Sequence, residues 1–235
     1  MALAAVFLDL GNTLLCERPA RAEIYAEAAH AHGLAVDAAR MGELMASAHA
    51  ELPRELAGAF RYSDAWFRTF QRRIFVEGLG LAPARFEVLS AELFARFEDA
   101  RTFQLYPGAR ELLAELRARG LGLGLVSNWS ARLGALLRAL GLEQAFDFHL
   151  SSAVERREKP DPLLFRTALA RAGVEPAAAL HAGDDPRCDA RGALGVGMAA
   201  VLVDHAGRLG AEERGLCPTV ASLFELRDLV LERVA

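Results

Sequence analysis

The sequence predicts an α/β fold: a parallel sheet with helices on both faces, interrupted after its first strand by an all-helical block. Three observations predict it. LAAVFLDL, near the start of the chain, is apolar throughout, as in a strand covered on both faces. From Leu105 onward, strand-like and helix-like segments alternate. From about Arg18 to Ala100 no strand pattern occurs, and apolar residues recur at three- and four-residue spacing.

The elements follow in order. After the first strand, AEIYAEAAHAHG, AARMGELMASAHAEL, SDAWFRTFQRRIFVEGLG and PARFEVLSAELFARFE all carry the helical period. Ser63 and Pro83 stand where helices start. Trp66, Phe67 and Phe70 lie at helical spacing and read as interior, whereas Arg18, Arg21 and Tyr25 read as solvated surface. After LYPGA, helix ARELLAELRARG closes on Gly120. Strand LGLGLVSN, helix SARLGALLRALG and the short strand FDFHLSS follow. Next come helix DPLLFRTALARAG, strand AALHAGDD, helix RCDARGALGVG and strand MAAVLVDH; ASLFELRDLVLERV is the final helix. The implied domains are residues 1–16 with 105–235 for the α/β core, and 17–104 for the helical insert.

Composition narrows the function classes. The chain is 53% hydrophobic and 25% charged, a globular mixture. A formal net charge of −4 offers no general attraction to nucleic acid or to an anionic membrane. No apolar run reaches the ~18 residues of a membrane span. Three cysteines without CxxC spacing read as free thiols, and the N-terminus lacks the basic start of a signal peptide, so a cytoplasmic location is expected. The 27 basic residues are 26 Arg and one Lys, Lys159.

The polar residues gather where such a sheet binds ligands, beyond the carboxyl ends of its strands. The first strand ends at Asp9, the second at Ser127–Asn128 and the fourth at Asp184–Asp185; the next helix adds Asp189, and Lys159 precedes the helix PDPLLF. Carboxylates so crowded repel unless a cation sits among them. Oxygen-only ligands suit Mg²⁺, and Mg²⁺ with a lysine and backbone N–H groups suits a phosphoryl oxyanion. His181, inside a strand, reads as a hydrogen-bonded core residue.

FLDLGNTLL, LVSNWS, REKPDPLLF and HAGDDPRCDARGALGVGM, in that order, resemble the four motifs of the haloacid dehalogenase (HAD) superfamily. The resemblance covers the whole chain. It implies a Rossmann-like HAD core with a helical cap inserted after the first strand. It further implies Asp9 as nucleophile, forming an aspartyl-phosphate, with Ser127 and Lys159 catalytic. Asn12, Thr13 and Asn128 would border the phosphate. Asp9, the Gly11 carbonyl, Asp184, Asp185 and Asp189 would serve the metal, Mg²⁺. The partner would be a small phosphorylated substrate, acted on by a monomer or homodimer.

One position departs from the pattern. Two residues after the nucleophile, the family's phosphatases carry a second aspartate, the general acid and base; here it is Gly11. Acid–base catalysis is worth about 10²–10⁴-fold. The branch called haloacid dehalogenase-like hydrolase domain-containing proteins is similar and shares the departure. Carbon–halogen-cleaving members also lack that aspartate but need no acidic fourth motif, which this chain keeps. Phosphonate-cleaving members need a cap lysine, which it lacks. Three readings stand: a Mg²⁺-dependent phosphatase suited to good leaving groups, a non-catalytic phosphate- or partner-binding protein, and, less favoured, a haloacid dehalogenase.

Overall fold

The computed structural model describes residues 2–234. Its strands are β1 (Ala5–Leu8), β2 (Leu15–Glu17), β3 (Glu55–Leu56), β4 (Ala59–Phe60), β5 (Phe103–Leu105), β6 (Gly122–Ser127), β7 (Phe148–Ser151), β8 (Ala179–Gly183), β9 (Ala199–Val203) and β10 (Thr219–Val220). Six of them form one parallel sheet in the order β10-β9-β8-β1-β6-β7. The opening apolar run thus becomes a central strand. From β1 the chain builds outward to β6 and β7, then crosses to the other side for β8, β9 and β10. The order reverses at β1, which is where an open α/β sheet leaves a crevice at its carboxyl ends. Register aligns those ends: Leu8 lies opposite Leu125 on one side and Ala182 on the other.

The chain divides into two compact units, one formed by residues up to Cys16 with those from Leu105 on, the other by Glu17–Gln104. In the first, Phe7, Val126, Leu164, Phe165 and Leu202 are among the buried residues of one apolar cluster. Full burial of each such side chain is worth about 1.5–3 kcal/mol. Helix Pro162–Ala172 contributes Leu164 and Phe165; it opens with Pro162 in its first turn and an Asp161 cap on Leu163 N, and closes on Gly173 at φ +66°.

In the second unit, helices Arg21–Ala31, Ala38–Glu51, Asp64–Arg72 and Pro83–Glu98 enclose an aromatic core. Ser63 caps the third of these through Trp66 N, and Pro83 opens the fourth. Trp66 stacks on Phe70 with centroids 5.5 Å apart, and Phe67 is partly buried against the cluster.

The structure differs from the expectations in several places; one is a two-stranded sheet of β2 and β5 that was not anticipated. The unit is not all-helical: β3 and β4 form a small antiparallel hairpin, turned through Ala57 (φ +47°) and Gly58 (φ +80°). Tyr25 is not solvated surface but 2% exposed, its ring stacked 5.7 Å from Phe75. The sheet also gains β10 beyond the anticipated strands, paired with β9.

Candidate active site

Asp9 is the first residue past β1, and its backbone N–H still bonds to Ala182 O at 2.9 Å. The chain then turns tightly: Leu14 N and Leu15 N both reach Leu10 O, and Asn12 N reaches Leu15 O at 2.7 Å. Asn12 holds the left-handed φ of +54° that Asn tolerates better than most residues. The turn leaves Asp9 6% exposed, a carboxylate that must find partners or protonate.

Its main partner is Lys159. The Lys159 ammonium lies 2.6 Å from Asp9 Oδ1 and 2.5 Å from Asp189 Oδ1, and is 3% exposed. Lys159 is positioned from behind by Asn128, whose Oδ1 accepts from Lys159 N at 2.8 Å and whose Nδ2 donates to Lys159 O at 3.1 Å. Asn128 was expected beside the phosphate; its amide also holds the lysine's backbone. Ser127, at the end of β6 and 2% exposed, has a side chain near enough to the Asp9 carboxylate to favour its ionised form.

Asp189 stands in the π-helical turn Pro186–Arg191 that follows β8. Its Oδ1 also meets His181 Nε2 at 2.7 Å, and its Oδ2 accepts from Asp185 N at 3.0 Å. A Cβ at Gly183 would fall 2.1 Å from the Asp189 carboxylate carbon, so this end of β8 has room only for glycine. Asp185 is spent elsewhere: its Oδ1 accepts from Arg187 N and Cys188 N at 2.8 and 2.7 Å, capping the turn. Asp185 therefore lies outside the group that converges. That group is Asp9, Asp184 and Asp189, which each offer an oxygen within 4.8 Å of the others.

Electrostatics follow from three carboxylates set against one ammonium. Burial raises the Asp9 carboxyl; Lys159 opposes this and the charge of Asp189 adds to it. Asp184 is pushed up to about 8 by burial, then by the charges of Asp9 and Asp189. Burial also pulls on Asp189, but Lys159 and His181 outweigh it and hold the group well below the usual carboxylate range. Burial alone would depress Lys159; Asp189 and Asp9 win and hold it above its ordinary value. The surplus negative charge and the oxygen-only donor set fit a hard divalent cation. Asp9 and Asp184 retain the oxygens to hold one, because Asp189 is engaged by Lys159, His181 and Asp185 N.

Thr13 is fully buried, and its hydroxyl has no hydrogen-bond partner among the described residues. Its carbonyl lies 2.9 Å from His205 Nε2, which makes that nitrogen the donor. The His205 ring stacks on Tyr106 with centroids 3.7 Å apart. Sequence reasoning passed over His205 and placed His181 in the core without its link to Asp189; a histidine two residues before the glycine–aspartate pair was the available signal.

A Rossmann-like sheet with a lysine-held aspartate at its central carboxyl end, and further carboxylates on the neighbouring strand and turn, defines an α/β protein with a carboxylate-lined site. The chain belongs to the haloacid dehalogenase-like hydrolase family, whose model matches residues 3–197. It is 33% identical over 237 residues to haloacid dehalogenase-like hydrolase domain-containing protein 3 of Mus musculus, covering 94% of this chain and 92% of that one. It is 43% identical over 145 residues to a phosphoserine phosphatase of Thermus thermophilus, covering 60% of this chain and 57% of that one. The crystal structure of a 2-haloacid dehalogenase from Pseudomonas syringae pv. Tomato is similar with a TM-score of 0.69 at 29% identity, covering 99% of this chain and 100% of that one. Among the described residues, no helix is long and apolar enough to cross a membrane.

Proposed function

We propose that the chain is a Mg²⁺-dependent phosphohydrolase that acts on a small phosphorylated molecule through an aspartyl-phosphate on Asp9. One observation carries this reading: Asp9 Oδ1 is held 2.6 Å from a buried ammonium while Asp184 and Asp189 converge on the same carboxylate. The phosphatase named among the relatives supports it. Asp9 attacks phosphorus with a carboxylate oxygen, and the bond to the leaving oxygen breaks. The Lys159 ammonium and the Ser127 hydroxyl receive the phosphoryl oxygens. Asp9, Asp184 and the Gly11 carbonyl would hold Mg²⁺, which supplies positive charge opposite the phosphoryl oxygens.

Gly11 brings no acid, so the leaving oxygen departs without a proton from this position. Substrates whose leaving group is already stable, acyl or aryl phosphates, are therefore favoured over alkyl esters, by about the 10²–10⁴-fold that a positioned acid contributes. The test is phosphate release from acetyl phosphate and p-nitrophenyl phosphate, with and without Mg²⁺, in wild type and Asp9→Asn. Release is expected to need both Mg²⁺ and Asp9. Release that persists without either one, or a preference for alkyl phosphates, contradicts the reading.

A second reading is carbon–halogen cleavage, favoured by the likeness to a 2-haloacid dehalogenase and by a leaving group that needs no proton. The convergence of Asp184 and Asp189 on Asp9 counts against it. Halide release from a 2-haloacid in EDTA would establish it.

A further inference from the structure

One buried polar side chain beside the site has no part in the transfer itself. His181 stands in the middle of β8, paired with Phe7 of β1 on one side and Ala200 of β9 on the other, and is fully buried. An imidazole inside an apolar strand is costly unless it is hydrogen-bonded. Its ring packs edge-to-face with Phe165, centroids 5.2 Å apart, and its Nε2 lies 2.7 Å from Asp189 Oδ1. A carboxylate accepts, so Nε2 is the donor. Nδ1 has no hydrogen-bond partner among the described residues, so the bond to Asp189 is what the ring is committed to. Lys159 is tied at its backbone by Asn128, but its ammonium sits at the far end of a flexible four-carbon stem and meets Asp9 and Asp189 there. Those two acceptors differ. Asp189 is fastened through both oxygens: Oδ1 by Lys159 and His181, Oδ2 by Asp185 N.

We propose that His181 is a positioning residue: its Nε2–H fixes the Asp189 carboxylate, and Asp189 in turn fixes where the Lys159 ammonium stands beside Asp9. The catalytic consequence rests on the phosphohydrolase reading and deepens it. When an Asp9 oxygen bonds to phosphorus, Asp9 gives up the negative charge that holds Lys159. Asp189 is then the carboxylate that keeps the ammonium in place for the phosphoryl oxygens. A carboxylate free to turn about its Cβ–Cγ bond would let that ammonium wander, and a misplaced charge-stabilising group costs rate. His181 removes this freedom from inside the sheet, where pairing to β1 and β9 holds its own backbone.

The test exploits Lys159 as the only lysine in the chain. Lysine labelled with an NMR-active nitrogen then gives a single side-chain ammonium signal, read in the full chain for wild type, His181→Gln, His181→Leu and His181→Phe. Gln keeps an amide donor without the ring; Leu and Phe keep apolar bulk without the donor. The signal is expected to hold its position in the Gln variant and to shift or broaden in the Leu and Phe variants. With acetyl phosphate and Mg²⁺, kcat should fall about 10–100-fold in Leu and Phe with KM little changed, and Gln should recover most of it. An unmoved ammonium signal in Leu or Phe, or a Gln variant as perturbed as those two, would overturn the proposal. The Gln variant decides even where Leu and Phe fold poorly, because the proposal requires it to keep the signal. A wild type and variants that show the expected signals but never release phosphate would refute the phosphohydrolase reading alone.

Discussion

At the scale of single residues, Lys159 holds the site together. It is the only lysine in the chain, and its ammonium answers two carboxylates at once. Arginine could not replace it simply, because a planar fork cannot occupy the place of a compact ammonium. Replacing it with Met leaves Asp9 and Asp189 buried without their cation. A loss of about 3–5 kcal/mol is expected in urea unfolding with EDTA present, and Mg²⁺ should recover part of it. A loss under 1 kcal/mol would mean that the carboxylates find water instead.

The pH dependence belongs to the same residues. Asp184 in the folded chain is pushed up to about 8 from its ordinary 3.8, so between those values the folded state holds a proton that the unfolded chain releases. Metal-free stability should therefore fall as pH rises through that window, and Asp9, also raised, acts with the same sign. Asp189 is depressed and acts oppositely, its contribution being lost only as pH falls below the ordinary carboxylate value. Unfolding across a pH series in EDTA shows the decline; saturating Mg²⁺ should flatten it, because a cation favours the ionised forms. An equally steep decline with Mg²⁺ would exclude Asp184 as a ligand.

At the scale of elements, the ends of β1, β6 and β8 do the positioning, and two glycines set how closely side chains approach. Gly183 gives Asp189 its place, so Gly183→Ala should displace that carboxylate and loosen Lys159. Mg²⁺ affinity by calorimetry is expected to drop about 10–100-fold, as when an outer partner of a metal site is lost. Unchanged affinity would mean that Asp189 shifts without consequence. Gly11→Asp restores an acid but presses on Trp129, so it should gain alkyl phosphatase activity only weakly. Paired with Trp129→Ser it should gain more, as alkyl phosphate turnover would show.

Legibility in the sequence follows the same division. Asp9 and Asp184 were readable because an apolar strand that ends in an acid has no reason of its own to do so. β10 was not, since two residues, Thr219–Val220, carry no period. The β3–β4 hairpin was hidden because its turn is Ala57–Gly58 rather than Asn-Gly or Asp-Gly. Asn128 and Asp185 were placed at the correct strand ends, but residue type does not say where an amide or carboxylate spends its bonds. Trp129 was invisible for a further reason: its meeting with Gly11 joins two parallel strands distant in sequence, and no local pattern reports that.

At the scale of the molecule, each compact unit has its own apolar core. Phe75 is fully buried in the helical unit. Phe75→Ala is expected to cost about 3–5 kcal/mol there. Hydrogen exchange should show the lost protection within Glu17–Gln104, with the amides of β1 and β8 unchanged. Spread of the loss to β1 would mean that the chain unfolds as one.

Phosphorylation of Asp9 is directly testable, because Gly11 leaves no base beside the acyl-phosphate. Water attack on the acyl-phosphate has no base at that position, so the intermediate should accumulate. Intact-mass spectrometry of the chain, quenched in acid after acetyl phosphate and Mg²⁺, measures this. One added phosphoryl group is expected in wild type, removed by hydroxylamine and absent both in Asp9→Asn and in EDTA. An Asp9→Asn protein that carries the same adduct, or releases phosphate as fast as wild type, would contradict it.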